Sequence, residues 1–545
     1  MEPPIPLEYY AKSVRRLHAG WLLLTAAFTA LAAAGASAAP NPTTQSTRRI
    51  DEICAAKWKE QKLMPSEVCT DAVFLRRVYL DVIGVLPTPQ EVKAFLADKD
   101  PGKRAKLIDK LMQRDEFVDF WALKWGDLLR IKSEYPVRVW PKAVQAYHHW
   151  LRQSIAENKP YDRFVTEMLV SSGSNFRDGP CNFYRAVPNK DPQSFAETAA
   201  LVFMGVRLSC ARCHAHPTEK WTLEDNLGMA AFFAQLKFKK TGEWKEEIVF
   251  VDTDAVLKHP ISKQTVKPKF LGGPMVQLKP GDDARALFAA WLTAGDNPYF
   301  ARAIANRVWY WLMDVGVVNE PDDLRPSNPP SNPELLDYLA KELVTRQYDL
   351  RHLYRIILNS QAYQLSSLST PNNLKDTRYF SHRIPHRLQA EQLLDAISQV
   401  TETTESFSST IPEPYTKLSD FHAIWLSDGS IGSPFLELFG RPPRDTPFES
   451  ERCDRTSIRQ AMHLLNSSDI ERKVASSARL KRLLQENKTD AQILEELYLA
   501  AFSRFPTEAE QQTVLALLKD RKPRAQAIGD LLWAVLNAKE FLFDH

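Results

Sequence analysis

Cys210-Ala211-Arg212-Cys213-His214 is the stretch of this chain whose residue types and spacing carry the most chemistry. Two thiols three positions apart can add to the two vinyl groups of one haem, and the histidine that follows at once can ligate its iron. The expected cofactor is haem c, with Cys210, Cys213 and His214 as cofactor-binding residues and His214 as the proximal iron ligand. Two other readings share these donors. A structural zinc site would use Cys210, Cys213 and His214 or His216 and still needs a fourth ligand. A dithiol redox pair wants a strand before the motif and a helix directly after it, which Gly205 and Pro217 fit poorly.

The motif does not fix a distal ligand. His259, Met229 and His216 are the candidates, of which His259 and Met229 are geometrically freer, because two residues is too short a tether for His216 to reach the opposite face of the ring easily. Trp221, Phe232 and Phe233 read either as packing partners of the macrocycle or as ordinary core. No phosphate-cradling glycine loop, G-x-S-x-G elbow or H-E-x-x-H is present, so nucleotide-dependent and zinc-protease chemistry drop out and the catalytic residues are unknown.

The elements that must position the motif are helical. Pro192 to Met204 reads as a helix stopped by Gly205, and Thr222 with Asp225 caps the next helix, to Phe233. The motif therefore sits in a tight loop between two helices. Upstream, Asp71 to Phe95 reads as helix, turn, helix, with Thr88-Pro89-Gln90-Glu91 as the second start signal. An amphipathic pair follows from Arg104 to Trp125. Thr507-Glu508-Ala509-Glu510 and the helix from Arg524 repeat this grammar near the C-terminus, with a weaker echo at Leu350 to Tyr363, by kinship or by convergence of helical hairpins.

Ile248 to Val251 with Thr265-Val266 predicts a small β-hairpin or three-stranded patch near residues 245–270. Gly272-Gly273-Pro274 and Lys279-Pro280-Gly281-Asp282 mark a domain boundary. Beyond it, helices are expected at Ala301–Leu312, Asn332–Leu343, Ser457–Ile470 and Ala491–Phe502. Residues 401–414 and 427–444 read as loops or mobile flaps. Arg307, with Asp322 and Asp323 at hand, reads either as part of a substrate pocket or, the preferred reading, as an arginine neutralised by a nearby carboxylate. Arg383, His386, Arg387, Glu391 and Asp395 read as a charged helical face. The fold class is thus mainly α: a multi-helical, two-domain protein.

The chain has 545 residues, 44% hydrophobic and 25% charged, which describes a globular protein of two or three domains. Seventy basic against 67 acidic residues leave +3, so no global field recruits nucleic acid or an anionic membrane. Lys12, Arg15 and Arg16 precede an apolar run, Trp21 to Ala34, closed by Ala36-Ser37-Ala38. Residues 1–38 read as a secretory signal peptide, with an uncleaved anchor as the alternative membrane contact. The expected location is periplasmic or otherwise exported, where the spacing of Cys54 and Cys69 leaves both a disulfide and free thiols open.

Phe74-Leu75-Arg76-Arg77-Val78-Tyr79-Leu80-Asp81, Gly84-Val85-Leu86-Pro87-Thr88 and Cys210 to Pro217 resemble the planctomycete-type cytochrome c-like domain of unknown function. Asn297-Pro298-Tyr299-Phe300, Asn306-Arg307-Val308-Trp309, Pro333 to Leu336 and His463-Leu464-Leu465-Asn466-Ser467 resemble its usual C-terminal partner domain, also uncharacterised. The resemblance divides the chain into a cytochrome c-like helical domain, 50–275, and a partner domain, 285–545. It implies an exported protein, a redox partner or a secreted sulfatase-like companion, and periplasmic oxidation of a substrate. Relatives carry a separate small cytochrome domain ahead of this region, which is not expected here, and cysteines where this chain has Phe448 and Ser450, with Cys453 nearby. The functional expectation is electron transfer by a c-type haem protein. The alternative is a non-redox exported scaffold that binds a secreted hydrolase or a polysaccharide.

Overall fold

The computed structural model describes residues 45–545 apart from 218, 409–416, 454 and 520–522, with only the backbone described at 417–419. The signal segment expected at 1–38 lies outside the described residues. The chain is 54% helix and 5% strand, which makes it mainly α. Among the described residues no helix is long and apolar enough to cross a membrane.

Local signals set most helix boundaries. Helix α1 (Asp71–Ile83) starts at Thr70, whose side chain accepts from the Val73 N–H, and stops at Gly84 with φ +71°. Helix α2 (Pro89–Ala97) opens on a reciprocal Thr88–Glu91 capping box. After Lys103–Leu111 comes α3 (Asp115–Leu128), whose Trp121 is buried and donates to the Val82 carbonyl. Helix α4 (Pro192–Ala199) and α5 (Leu223–Ala231) flank the Cys210–His214 turn. In the second half, α6 (Phe300–Met313) and Pro333–Thr345 match their sequence signals, and α7 (Ala390–Thr401) and α8 (Asp490–Phe502) follow.

Three expectations need correction. The β patch is an antiparallel sheet of β1 (Gly173–Ser174), β2 (Leu236–Lys240) and β3 (Glu247–Val251) in the order β1-β3-β2, so β3 pairs with β2 and β1 rather than with Thr265-Val266. Residues 427–444 are not a flap: Pro434–Leu438 is helical, and fully buried Arg444 pairs with Asp127 at 2.9 Å while donating to the Ile131 and Ser427 carbonyls. The helix expected over Ser457–Ile470 breaks at Ser467, whose side chain caps a new helix by accepting from the Ile470 N–H.

Apolar side chains collect into two cores. The larger runs from Ile50 to Phe380 and also takes in Ile424 and Leu499. The smaller gathers residues 388–541 together with Leu80 and Leu86. Helix α1 serves both, because Phe74, Leu75 and Val78 face the larger core and Leu80 the smaller.

Buried arginines on α1 fasten the two cores. Arg76 donates to the Ala501 and Phe541 carbonyls at 2.7 Å, and Arg77 donates to those of Tyr363 and Leu365 at 2.6 and 2.9 Å. Each closes a helix end whose last carbonyls lack an intrahelical donor. Burial lowers Arg76 only to about 10, so it stays charged at neutral pH. The hairpins that echo one another in sequence therefore meet in space, with α1 of the first clamping the ends of the other two.

Candidate functional site: the Cys210–His214 turn

Helix α4 begins at Asp191, whose side chain accepts from the Ser194 N–H, and runs into a wider turn at Ala200–Met204 before stopping at Gly205. Gly205 has φ +63°, and its carbonyl accepts the Leu324 N–H at 2.9 Å. Glycine suits the left-handed backbone there, and any Cβ would lie 2.4 Å from Leu324 Cδ1 and push that side chain aside. A tight helical turn, Ser209–Arg212, then carries the motif.

The two inner positions of the motif anchor it. Ala211 is fully buried. Arg212 pairs with Asp191 at 2.5 Å and Glu197 at 3.2 Å on α4. Fully buried Asn226, on α5, donates to Glu197 at 3.0 Å and to the Leu208 carbonyl at 3.2 Å, and accepts from Gln193 at 2.8 Å. With those side chains turned inward, Cys210, Cys213 and His214 are all exposed, and both thiols are free. His214 Nδ1 lies 2.7 Å from the Ala215 carbonyl, so that nitrogen carries the proton and Nε2 keeps its lone pair for a metal.

The chemistry of this donor set fits covalent haem c. In such a group the sulfurs would bond the ring periphery rather than converge on the metal, and only the imidazole would ligate iron. A zinc site requires convergence, and among the described residues no group of three or more metal-ligating side chains includes these cysteines. The apolar core beneath the turn is closed, however. Trp221, Phe232 and Phe233 are core residues: Phe232 stacks on Phe270 at 5.0 Å and Phe233 meets Phe288 at 5.3 Å. A ring attached here would lie on the surface.

The three distal candidates are placed apart. Met229 is fully buried in the larger core. His259 has both nitrogens engaged, Nε2 with Glu224 at 3.1 Å and Nδ1 with the Ile261 and Ser262 N–H groups. His216 is half-buried, and its backbone N–H donates to the Trp221 carbonyl at 2.8 Å.

Residues from the second half brace the turn. Arg207 pairs with buried Asp322 at 2.7 Å and lies 5.2 Å from the centre of the Phe448 ring. Ser327 donates to Glu219 at 3.1 Å. Arg307 pairs with Glu449 at 3.2 Å and donates to the Val202 carbonyl at 2.6 Å, just before Gly205. The expected neutralisation of Arg307 is therefore present, with Glu449 as the partner and Asp322 committed to Arg207. Glu449 also accepts from Trp311 and is raised, chiefly by burial. Buried Lys124 on α3 is lowered to about 8 by burial, reinforced by the Arg452 charge. The sequence signals pointed to neither Glu449 nor Lys124, because only the fold brings Glu449 to Arg307 and Lys124 to Glu449.

Residues 383–395 do not form one helical face, since only Glu391 and Asp395 lie on α7, but their charges are paired as a structural role expects. Arg383 is fully buried and its guanidinium reaches Asp544 at 2.8 Å, Asp314 at 3.0 Å and Asp81 at 3.3 Å, while His386 pairs with Asp314 at 2.8 Å. Arg387 donates to carbonyls of the smaller core, Glu391 pairs with Arg452, and Asp395 accepts from the Ala423 and Ile424 N–H groups. Asp81, His386 and Asp544 also lie close enough to share a metal ion, within 4.8 Å. Arg383 already supplies positive charge among them, and the cluster ties α1, α6 and the chain's last strand together. Cys54, Cys69 and Cys181 are buried free thiols, so the pairing of Cys54 with Cys69 is not formed.

Residues 49–238 match the model of the PSCyt2 family, described as a protein of unknown function (DUF1549), and residues 284–518 match that of PSD1, a protein of unknown function (DUF1553). The two matches follow one another in that order along the chain. No curated protein matches it, and no solved structure does.

Proposed function

We propose that this protein is an exported c-type haem carrier that passes electrons between a substrate or partner enzyme and a respiratory acceptor. The observation that carries the reading is the posture of the turn. Ala211 is buried and Arg212 is ion-paired inward, while both thiols and the imidazole face solvent. Cys210 and Cys213 would hold the ring by thioether bonds and His214 Nε2 would ligate the iron. When bound, the haem supplies a one-electron couple. The protein's own part is positional: Arg212 with Asp191 and Glu197 fixes the turn on α4, and Arg207 with Asp322 fixes its approach. Export rests on the pattern of residues 1–38.

The test is expression with the cytochrome c maturation machinery, followed by a haem stain after denaturing electrophoresis, a pyridine haemochrome spectrum and the intact mass. Covalent haem with two thioethers and a mass lacking residues 1–38 supports the reading. A mature protein without covalent haem sinks it.

A non-redox scaffold is the second reading. What favours it is the closed core beneath the turn, where the aromatic side chains that would sandwich a ring are packed on one another. It predicts normal folding and partner capture by a Cys210→Ser/Cys213→Ser variant that carries no haem.

A further inference from the structure

Residues 255–281 carry five lysines and no aspartate or glutamate, in a chain whose charges otherwise nearly cancel. The segment is built from two compact turns, bridged at Lys258–Thr265 and Lys269–Met275. Its footing is firm. Phe270 stacks between Phe232 and Trp291 at 5.0 and 4.8 Å, and Leu271 is buried. Two bonds fasten it to the first turn of α5, the end nearest the Cys210–His214 turn: Lys269 to Asp225 at 2.8 Å and His259 to Glu224 at 3.1 Å.

That leaves four exposed lysines, Lys258, Lys263, Lys267 and Lys279, without a carboxylate in salt-bridge range among the described residues. The ammonium groups of the first three are instead held by Thr265 Oγ, the Pro260 carbonyl and Gln277 Oε1. Between these lysines stand large apolar side chains open to water: Ile261 is 78% exposed, Met275 69% and Val256 53%. Exposed apolar side chains interspersed with charge of one sign suit a transient protein interface, in which charge steers the encounter and apolar groups supply the contact.

We propose that this lobe docks a protein partner through a carboxylate-rich patch, beside the Cys210–His214 turn. The partner's chemistry follows from charge complementarity, since four unpaired lysines favour an acidic face and disfavour a basic one. A protein fits better than a membrane because the lobe presents its apolar groups on two rigid turns, whereas binding in the plane of a bilayer uses an amphipathic helix. That the partner exchanges electrons rests on the reading of the turn given above; the docking itself does not.

Binding of the full mature chain to immobilised flavodoxin, a strongly acidic protein probe, tests the proposal. Binding is expected to weaken about tenfold between 20 and 200 mM salt and to fall at least about tenfold in the Lys258→Glu/Lys263→Glu/Lys267→Glu/Lys279→Glu variant. Charge reversal at the exposed Lys481 and Lys519 of the second half should leave it within about twofold. The Cys210→Ser/Cys213→Ser variant should bind as the parent does, which separates failure of docking from failure of haem attachment. Salt-insensitive binding, an unaffected quadruple variant with native circular dichroism, or retention only by phosphatidylglycerol vesicles or by heparin would overturn the proposal.

Discussion

Gly205→Ala measures how strictly the fold positions the Cys210–His214 turn. The residue has φ +63°, where an L side chain is disfavoured by about 1–2 kcal/mol. The added Cβ would also meet Leu324 Cδ1 at 2.4 Å, and overpacking of that kind costs about 1–3 kcal/mol. The sum is about 2–5 kcal/mol, and relaxation would pull the Gly205 carbonyl away from the Leu324 N–H, loosening the link between the turn and the second half. Urea unfolding followed by tryptophan fluorescence gives the stability, and haem stain per mole of protein gives the attachment yield. Leu324→Ala should remove the steric part, so the double variant should be more stable than the two single losses predict by about 1–3 kcal/mol. Gly242→Ala is the control, since no atom lies within 4 Å of its Cβ position and its φ is not in the left-handed region. A Gly205→Ala loss below about 0.5 kcal/mol with normal haem yield, or strict additivity with Leu324→Ala, would refute the reasoning.

The remaining predictions concern other parts of the molecule. Asp544→Ala leaves Arg383 buried and short of a partner, which should cost about 3–5 kcal/mol and lower the melting temperature of the transition that reports the smaller core, whereas exposed Glu508→Ala should stay within about 0.5 kcal/mol. Cys213→Ala should leave at most one thioether, read by mass, while Arg307→Ala should chiefly lower stability because Glu449 loses its ion pair; unchanged melting with lost partner binding or turnover would contradict the structural role. Asp395, pushed up to about 7 by burial, keeps its proton in the folded state while the unfolded carboxyl loses it above about pH 4. That group makes stability fall as pH rises between about 4 and 7, by up to about 1.4 kcal/mol per pH unit. Asp395→Asn should flatten the profile in that window, measured by urea unfolding at several pH values, and parallel profiles would sink this account. Glu391, Glu405 and His422 face the same carboxyl, and its backbone donors at Ala423 and Ile424 oppose the shift.

Short-range features of the chain were legible because their physics is local. A Thr followed three positions later by Glu or Asp closes its own capping box at Thr88–Glu91, Thr222–Asp225 and Thr507–Glu510, and all three form. Gly205 ends its helix as a glycine in a left-handed backbone position does. The mainly α class and the turn that presents Cys210, Cys213 and His214 follow from such signals. The β partner of residues 247–251 was misassigned, because alternation identifies a strand without naming its neighbour.

Tertiary structure alone decided which charges meet. Arg307 finds Glu449 rather than the nearer Asp322, Arg76 closes the chain at Ala501 and Phe541, and Arg383 gathers Asp81, Asp314 and Asp544. An arginine in a sequence specifies that a buried guanidinium must be satisfied; packing of distant apolar faces specifies by what. The residues of α1 that carried the family resemblance are of this kind: Arg76, Arg77 and Asp81 look like a functional motif in one dimension and act as a clamp between two cores in three.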